Sequence, residues 1–322
     1  MARLQPRDRV GLVGTGMVGA SFAYALVQSG MANELILIDA DAARAEGEAM
    51  DLNHGLPFVG PMRIRAGGYE LLEGCDLVVI TAGANQRPGQ TRLDLLQSNA
   101  GVIRDVIPRV VAANPEGVIL VATNPVDILT QLASELAGLP SGQVFGSGTM
   151  LDTARFRTLL AEHFGVNPQS VHAHIVGEHG DSAVPIWSLA NIAGVPLCNY
   201  SSCGMSGSDR TAMEAIFKKT RDAAYEIIQR KRSTYYAIGL GLLRIVETVL
   251  RDQRTVLTVS TPMRGTFGVN GIALSLPTVV GHGGAECVLE IPISGEEAEA
   301  FRNSGKILAD LYRQVAAHSG SA

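Results

Sequence analysis

The sequence predicts an α/β protein: a doubly wound parallel sheet in the first half, followed by a second lobe of mixed α+β character. Three observations carry this. Short apolar runs alternate with longer amphipathic segments through the first 150 of 322 residues, which is how parallel strands joined by crossover helices read. After about residue 150 the rhythm changes to blocks of helix and blocks of strand. Between the first apolar run and the first helical segment stands a glycine-rich turn, Gly14-Thr15-Gly16-Met17-Val18-Gly19.

In chain order, strands are expected at Val10–Gly14, Leu35–Asp39, Leu77–Thr81, Val118–Ala122 and Val144–Gly146, with helices at 18–29, 41–53, 92–113 and 126–136 between them. The second half opens with a helix at 150–163 and short strands at 171–177 and 184–190. Helices follow at 209–230 and 234–250, then a β-rich stretch near 255–261, 273–280 and 286–291, and a final amphipathic helix at 296–317. No repeat or low-complexity linker intervenes. The expectation is a nucleotide-binding domain over 1–149 and a catalytic domain over 150–322, with the site between them.

Composition narrows the function classes. Hydrophobic residues make up 46% and charged residues 18%, and the net charge is −5, so neither disorder nor a basic nucleic-acid footprint is expected. The four cysteines, 75, 198, 203 and 287, form no CxxC pair and no metal-ligand spacing with histidine. No apolar stretch reaches the length of a signal core or a membrane span. A cytoplasmic location with no metal, membrane or nucleic-acid partner is the expectation.

The glycine turn follows a strand and opens a helix, the context in which Gly14, Gly16 and Gly19 serve a tight turn, close approach to pyrophosphate and close helix packing. Asp39 ends the second strand 20 residues after Gly19, where a carboxylate accepts hydrogen bonds from ribose hydroxyls and repels a 2′-phosphate. Together they read as a Rossmann site for NAD. Arg44 is either near a cofactor phosphate or a solvated charge on its helix.

Further candidates stand at strand ends. Thr81-Ala82-Gly83-Ala84-Asn85-Gln86-Arg87-Pro88-Gly89-Gln90-Thr91-Arg92 follows the strand at Leu77–Thr81, and its Pro-Gly suits a segment that closes over a ligand. Val121-Ala122-Thr123-Asn124-Pro125-Val126-Asp127 ends the next strand, with Asn124 offering both donor and acceptor. Asp152 and Arg155, at i and i+3, share a helix face, and Arg157, about 200° round from Arg155, points the other way. Finally, Gly177-Glu178-His179-Gly180-Asp181-Ser182 sets one histidine in a glycine-flanked turn after Ile175-Val176. Such a histidine exchanges protons near neutral pH; a hydrogen-bonded structural histidine is the competing reading.

In this order and spacing the segments resemble the L-2-hydroxyacid dehydrogenase family, most closely its L-lactate dehydrogenases, from Gly14 through Thr234-Tyr-Tyr-Ala-Ile-Gly239 and beyond. The resemblance implies that His179 is the acid/base, Asp152 its orienting partner, Arg155 the clamp for the substrate carboxylate, and Arg92 the group that polarises the carbonyl. It implies that Asn124 orients substrate and cofactor. It likewise implies that Val18, Gly83, Ala84, Ala122, Thr123 and Ser147 line the cofactor, with Tyr69 near adenine. Gln86, six residues before Arg92, matches the position that faces the substrate's variable end, where malate-specific relatives carry arginine; Arg87 beside it makes the register matter. Thr234 matches the lactate-type threonine, although Lys231-Arg232-Ser233 stands where relatives commonly carry glycine.

Pyruvate and L-lactate are therefore the expected substrates. A malate dehydrogenase, a broader 2-oxoacid reductase or a non-catalytic dinucleotide sensor are the alternatives. Arg157 and His172 match positions that bind fructose 1,6-bisphosphate across a subunit interface in allosteric bacterial relatives, which implies activation by that effector and a homotetramer.

Overall fold

The computed structural model describes residues 8–84, 92–202 and 204–317. In the first half the strands are β1 (Arg9–Val13), β2 (Glu34–Ile38), β3 (Arg63–Ala66), β4 (Leu77–Ile80), β5 (Val118–Val121) and β6 (Val144–Gly146). The helices are α1 (Met17–Ser29), α2 (Ala42–Gly55), α3 (Arg92–Ala113) and α4 (Val126–Ala137). The six strands are parallel in the order β6-β5-β4-β1-β2-β3. The chain runs outward from β1 to β3 and then returns to β1's other side with β4. That reversal opens a crevice at the carboxyl ends of β1 and β4, where ligands bind in such sheets.

All residues of β1, β2, β4, β5 and β6 are buried, so the apolar runs mark strands covered on both faces. The edge strand β3 reads Arg-Ile-Arg-Ala and has no such run, which is why sequence periodicity passes over it. Its arginines serve another purpose. Glu34, 2% exposed at the start of β2, receives Arg9 at 2.7 Å and Arg65 at 2.6 Å, with Arg63 at 3.6 Å, so a buried carboxylate is neutralised at the sheet end opposite the crevice.

The second half contributes α5 (Met150–Phe164), β7 (Val171–Val176), β8 (Val184–Ile192), β9 (Val195–Pro196), β10 (Ser201–Ser202) and β11 (Met205–Ser206). Then come α6 (Arg210–Lys231), α7 (Tyr236–Leu250), β12 (Thr255–Arg264), β13 (Asn270–Gly281), β14 (Gly284–Val288) and α8 (Gly295–Ala317). β12, β13 and β14 pair antiparallel, and Ser260 of β12 pairs with Gly146 of β6, so the parallel sheet continues into the second half as one nine-stranded sheet. The sequence pattern separates the halves; the hydrogen-bond ladder joins them. A smaller sheet, β7-β8-β9, is tied on by a bridge between Gly177 and Ser275.

Helix α4 is buried from Val126 through Ala133 on every side, because it packs against β6, β12 and β13 and also against α3 and α8. This places its first turn beside the segment that follows β7. Between α6 and α7, Arg232 takes a left-handed conformation (φ 71°) as the cap of α6, a position where glycine avoids the Cβ clash and arginine does not. Among the described residues no helix is long and apolar enough to cross a membrane.

Candidate active site

The glycine turn has the geometry its sequence requires. Gly14 has φ 101°, and a Cβ there would lie 2.4 Å from the Ala82 amide nitrogen. A Cβ on Gly19 would lie 2.0 Å from the Gly14 carbonyl oxygen, so neither position admits a side chain. Among the described residues, none beyond its chain neighbours and its own helix comes within 4 Å of where a Cβ on Gly16, the N-cap of α1, would be, and no side chain caps the helix. Uncapped amides at a helix start, facing open space, suit an anion such as pyrophosphate.

Asp39 sits across this turn. Its Oδ2 accepts from the Thr15 amide at 2.6 Å and the Thr15 hydroxyl at 2.9 Å, and its Oδ1 accepts from the Asp41 amide at 3.0 Å. Burial pushes its pKa up, but these donors and the Arg44 charge outweigh burial and hold the carboxyl below its ordinary range. The crevice thus presents a fixed carboxylate for ribose hydroxyls beside an amide cradle for phosphate, and these residues fit a dinucleotide. Arg44 itself is exposed on α2.

At the far side of the crevice, Asp152 in the first turn of α5 binds two partners. Its Oδ2 hydrogen-bonds His179 Nδ1, and its Oδ1 accepts from Arg155 Nη1 at 3.2 Å. The side chains of His179, Asp152 and Arg155 are 24%, 12% and 13% exposed, so the group is desolvated but open on one side. Burial alone would lower the His179 pKa. The Asp152 charge and hydrogen bond, joined by the charge of Asp127, outweigh it and raise the imidazole to about 9. Asp152 moves the opposite way: burial raises it, but His179 and Arg155 hold it below its ordinary value. At neutral pH the pair is an imidazolium and a carboxylate, with Nε2 left to meet a ligand oxygen.

Two residues without an assigned role in the sequence reading prove central to the geometry. Asp127, 2% exposed in the first turn of α4, accepts the His179 amide hydrogen on Oδ2 at 2.7 Å and the Ser260 hydroxyl on Oδ1 at 2.6 Å. Burial pushes its pKa up to about 6 against those two hydrogen bonds. It pins three discontinuous elements, α4, the histidine turn and β12. Asn99, 3% exposed on α3, donates to the Asn124 carbonyl at 2.8 Å and accepts the Ala84 amide at 2.7 Å, joining two loops of the crevice. Each had one available signal: a polar residue interrupting a buried apolar helix face.

Gly83 packs so closely that a Cβ would lie 2.5 Å from Thr123 Cγ2, and Thr123 itself bonds the Ala82 carbonyl at 2.8 Å. Ser147 is buried, with its amide on Val121; Val18 and Ala122 are half-buried, and Asn124 is exposed at the end of β5. Tyr69 is half-buried, with Arg109 5.6 Å from its ring centre. Thr234 is half-buried in the α6–α7 connection. Gln86 and Arg87 lie outside the described residues, and Arg92 opens α3 with its side chain outside them. Arg157 turns away from Asp152, donates to the Ala173 carbonyl at 2.9 Å, and lines a cavity of about 400 Å³ with Gln169, His174 and Arg244. His172 is exposed on the strand it shares with His174.

Residues 8–146 match the family described as lactate/malate dehydrogenase, NAD binding domain, and residues 149–318 match its alpha/beta C-terminal domain. An L-lactate dehydrogenase of Nitratidesulfovibrio vulgaris is 48% identical over 303 residues, covering 94% of this chain and 98% of that one. Another, of Thermoanaerobacter pseudethanolicus, is 44% identical over 308 residues, covering 96% and 99%. Among solved structures, a lactate dehydrogenase from a Medee basin deep-sea metagenome superimposes with a TM-score of 0.93 at 40% identity over 97% of this chain and 100% of that one. A minor L-lactate dehydrogenase of Enterococcus mundtii, solved with ligands bound, superimposes at 0.92 with 41% identity over 96% and 98%. Matched over both halves and nearly its whole length, with an NAD crevice and a part-buried histidine–aspartate pair, the chain belongs to the lactate/malate dehydrogenase family of NAD-dependent oxidoreductases.

Proposed function

We propose that the protein is an L-lactate dehydrogenase that interconverts pyruvate and L-lactate. One observation carries the reading: Asp152 holds a proton-transfer histidine and a carboxylate-binding arginine together at the mouth of the cofactor crevice. Arg155 presents a planar fork that pairs with a substrate carboxylate through parallel hydrogen bonds. His179 then gives its Nε2 proton to the carbonyl oxygen in reduction, and in the reverse direction the neutral imidazole takes that proton back. The bound nicotinamide supplies or accepts the hydride. Arg92, at the start of α3, stabilises the negative charge growing on the oxygen, and Asn124 and Thr234 orient the substrate. The cofactor residues Gly14, Gly16, Val18, Gly19, Asp39, Tyr69, Gly83, Ala84, Ala122, Thr123 and Ser147 serve the half 1–149, and the catalytic half is 150–322.

Gln86 makes the substrate a monocarboxylate, because a second carboxylate in a closed site would be buried without a counter-charge. Gln86→Arg is expected to raise kcat/KM for oxaloacetate relative to pyruvate by at least about tenfold, on the order of one charge-assisted contact. NADH absorbance assays on both substrates check this. A wild-type preference for oxaloacetate would replace the lactate reading with the malate one.

The same proposal includes activation by fructose 1,6-bisphosphate in a homotetramer, with Arg157 and His172 as phosphate ligands. What supports it is a half-buried arginine that lines a cavity and is bonded to a backbone carbonyl. Apolar side chains exposed on α1, α2, α7 and the turn after α2, namely Met17, Met50, Phe58 (89% exposed), Tyr236 and Leu240, make surfaces that self-association would cover. The bisphosphate is expected to lower KM for pyruvate and to increase assembly size in light scattering. No change in either would remove the effector from the proposal.

A further inference from the structure

Ser304 lies mid-way along α8 and is fully buried on a face otherwise made of Phe301, Leu308, Tyr312 and Val315. A hydroxyl at 0% exposure costs free energy unless it is bonded. Its Oγ accepts the Glu178 amide hydrogen at 3.0 Å and lies 2.9 Å from Ser182 Oγ. Ser182 donates to the Glu178 carboxylate from its amide, at 2.9 Å, and from its hydroxyl. With the Ser182 proton committed there, the Ser304 hydroxyl donates to Ser182. The Glu178 carboxylate, Ser182, Ser304 and the Glu178 amide therefore close a ring around the residue next to His179.

Helix α8 is itself fixed elsewhere. Glu297 accepts from the amide of Ser188 in β8 at 3.0 Å and from its hydroxyl at 2.5 Å, Tyr312 bonds Glu135 of α4, and Arg104 of α3 donates to the Val315 carbonyl at 2.9 Å. Where Ser304 stands is thus decided by three elements outside the histidine turn. We propose that Ser304 is a positioning residue for proton transfer: the C-terminal helix, through the Ser304 ring, sets where the turn presents His179 to Asp152 and to the substrate oxygen. This rests on the assignment of His179 as the acid. The division of labour is physical: Asp152 governs the charge of the imidazole, and the ring governs its place, to which proton transfer is sensitive on the scale of an ångström.

The test uses Ser304→Ala and Ser182→Ala, singly and together, assayed for pyruvate reduction at saturating NADH from pH 6 to pH 10, with melting temperatures recorded in parallel. Each single variant is expected to lower kcat by about tenfold, the scale of one buried hydrogen bond. KM for pyruvate should change less than kcat, because Arg155 is untouched, and the alkaline midpoint of the pH profile should move down. The double variant should fall no further than the worse single one, because both cut the same ring. A lowered melting temperature with kcat and pH profile unchanged, or losses that multiply in the double variant, would overturn the proposal. Should Ser304→Ala fail to fold, Ser182→Ala, at a half-exposed position, decides alone. A wild-type protein that reduces no 2-oxoacid overturns the function and this inference together; active wild type with unaffected variants overturns this inference only.

Discussion

Asp152→Asn is expected to reduce kcat/KM for pyruvate by about 10³–10⁴-fold, the scale seen when the carboxylate orienting a catalytic histidine is removed elsewhere. An amide in this place carries no charge, so burial, no longer opposed by the Asp152 charge, would push the imidazole pKa down from about 9. With His179 as the proposed acid, the proton needed for reduction is expected to be present below about pH 9 in the wild type and lost as pH rises through it. In the variant, reduction should already be failing at neutral pH. Stability has the same window. His179 is raised above its unfolded value, so its contribution is full below about pH 6.5 and disappears as pH rises through about 9. Asp152 is depressed, so its contribution disappears as pH falls through the acid range. An unchanged alkaline limb in Asp152→Asn would show that this pair does not set the proton.

Asp127→Ala should destabilise the fold by about 2–5 kcal/mol, since it leaves the His179 amide and the Ser260 hydroxyl without their acceptor in a buried site. Activity should fall with it, because the histidine turn loses its tie to α4. Asp127→Asn keeps an acceptor and should cost much less. The sign of the pH dependence differs from that of Asp152. The Asp127 pKa is raised to about 6, so its ionisation opposes folding, and stability drawn from this group declines as pH rises from about 4 through 6. Melting temperatures at pH 5 and pH 8 test both points: the Asp127→Asn variant should compare more favourably with the wild type at the higher pH. Equal melting temperatures for Asp127→Ala and the wild type would show that the three-element contact contributes nothing.

How much was legible in the chain depended on the distance over which each feature is encoded. The five short apolar runs, the glycine turn and Asp39 are local, and the sheet reproduces them within a residue or two. β3 was not legible, because an edge strand with two arginines has no apolar period, and its charges make sense only against Glu34, 31 residues from Arg65. Asp127 and Ser304 were not legible as positioning groups either. Their partners are 52 and 126 residues away, at His179 and Glu178, and a single polar residue on an apolar helix face does not say what it bonds. Arg232 is the converse case: its departure from glycine is visible in sequence, but the left-handed cap that makes it costly appears only in the backbone.

Local pattern was enough for the α/β class and for an NAD site at the glycine turn, and the family resemblance implied the pairing of His179 with Asp152. These follow from periodicity, glycine stereochemistry, and residue types whose order and spacing match a known family. Packing in three dimensions was needed to show that the parallel sheet extends through β12–β14, that Asp152 serves His179 and Arg155 at once, and that α4 and α8 hold the histidine turn. A buried polar group is stable only when a partner reaches it, and which partner does so depends on how distant elements pack.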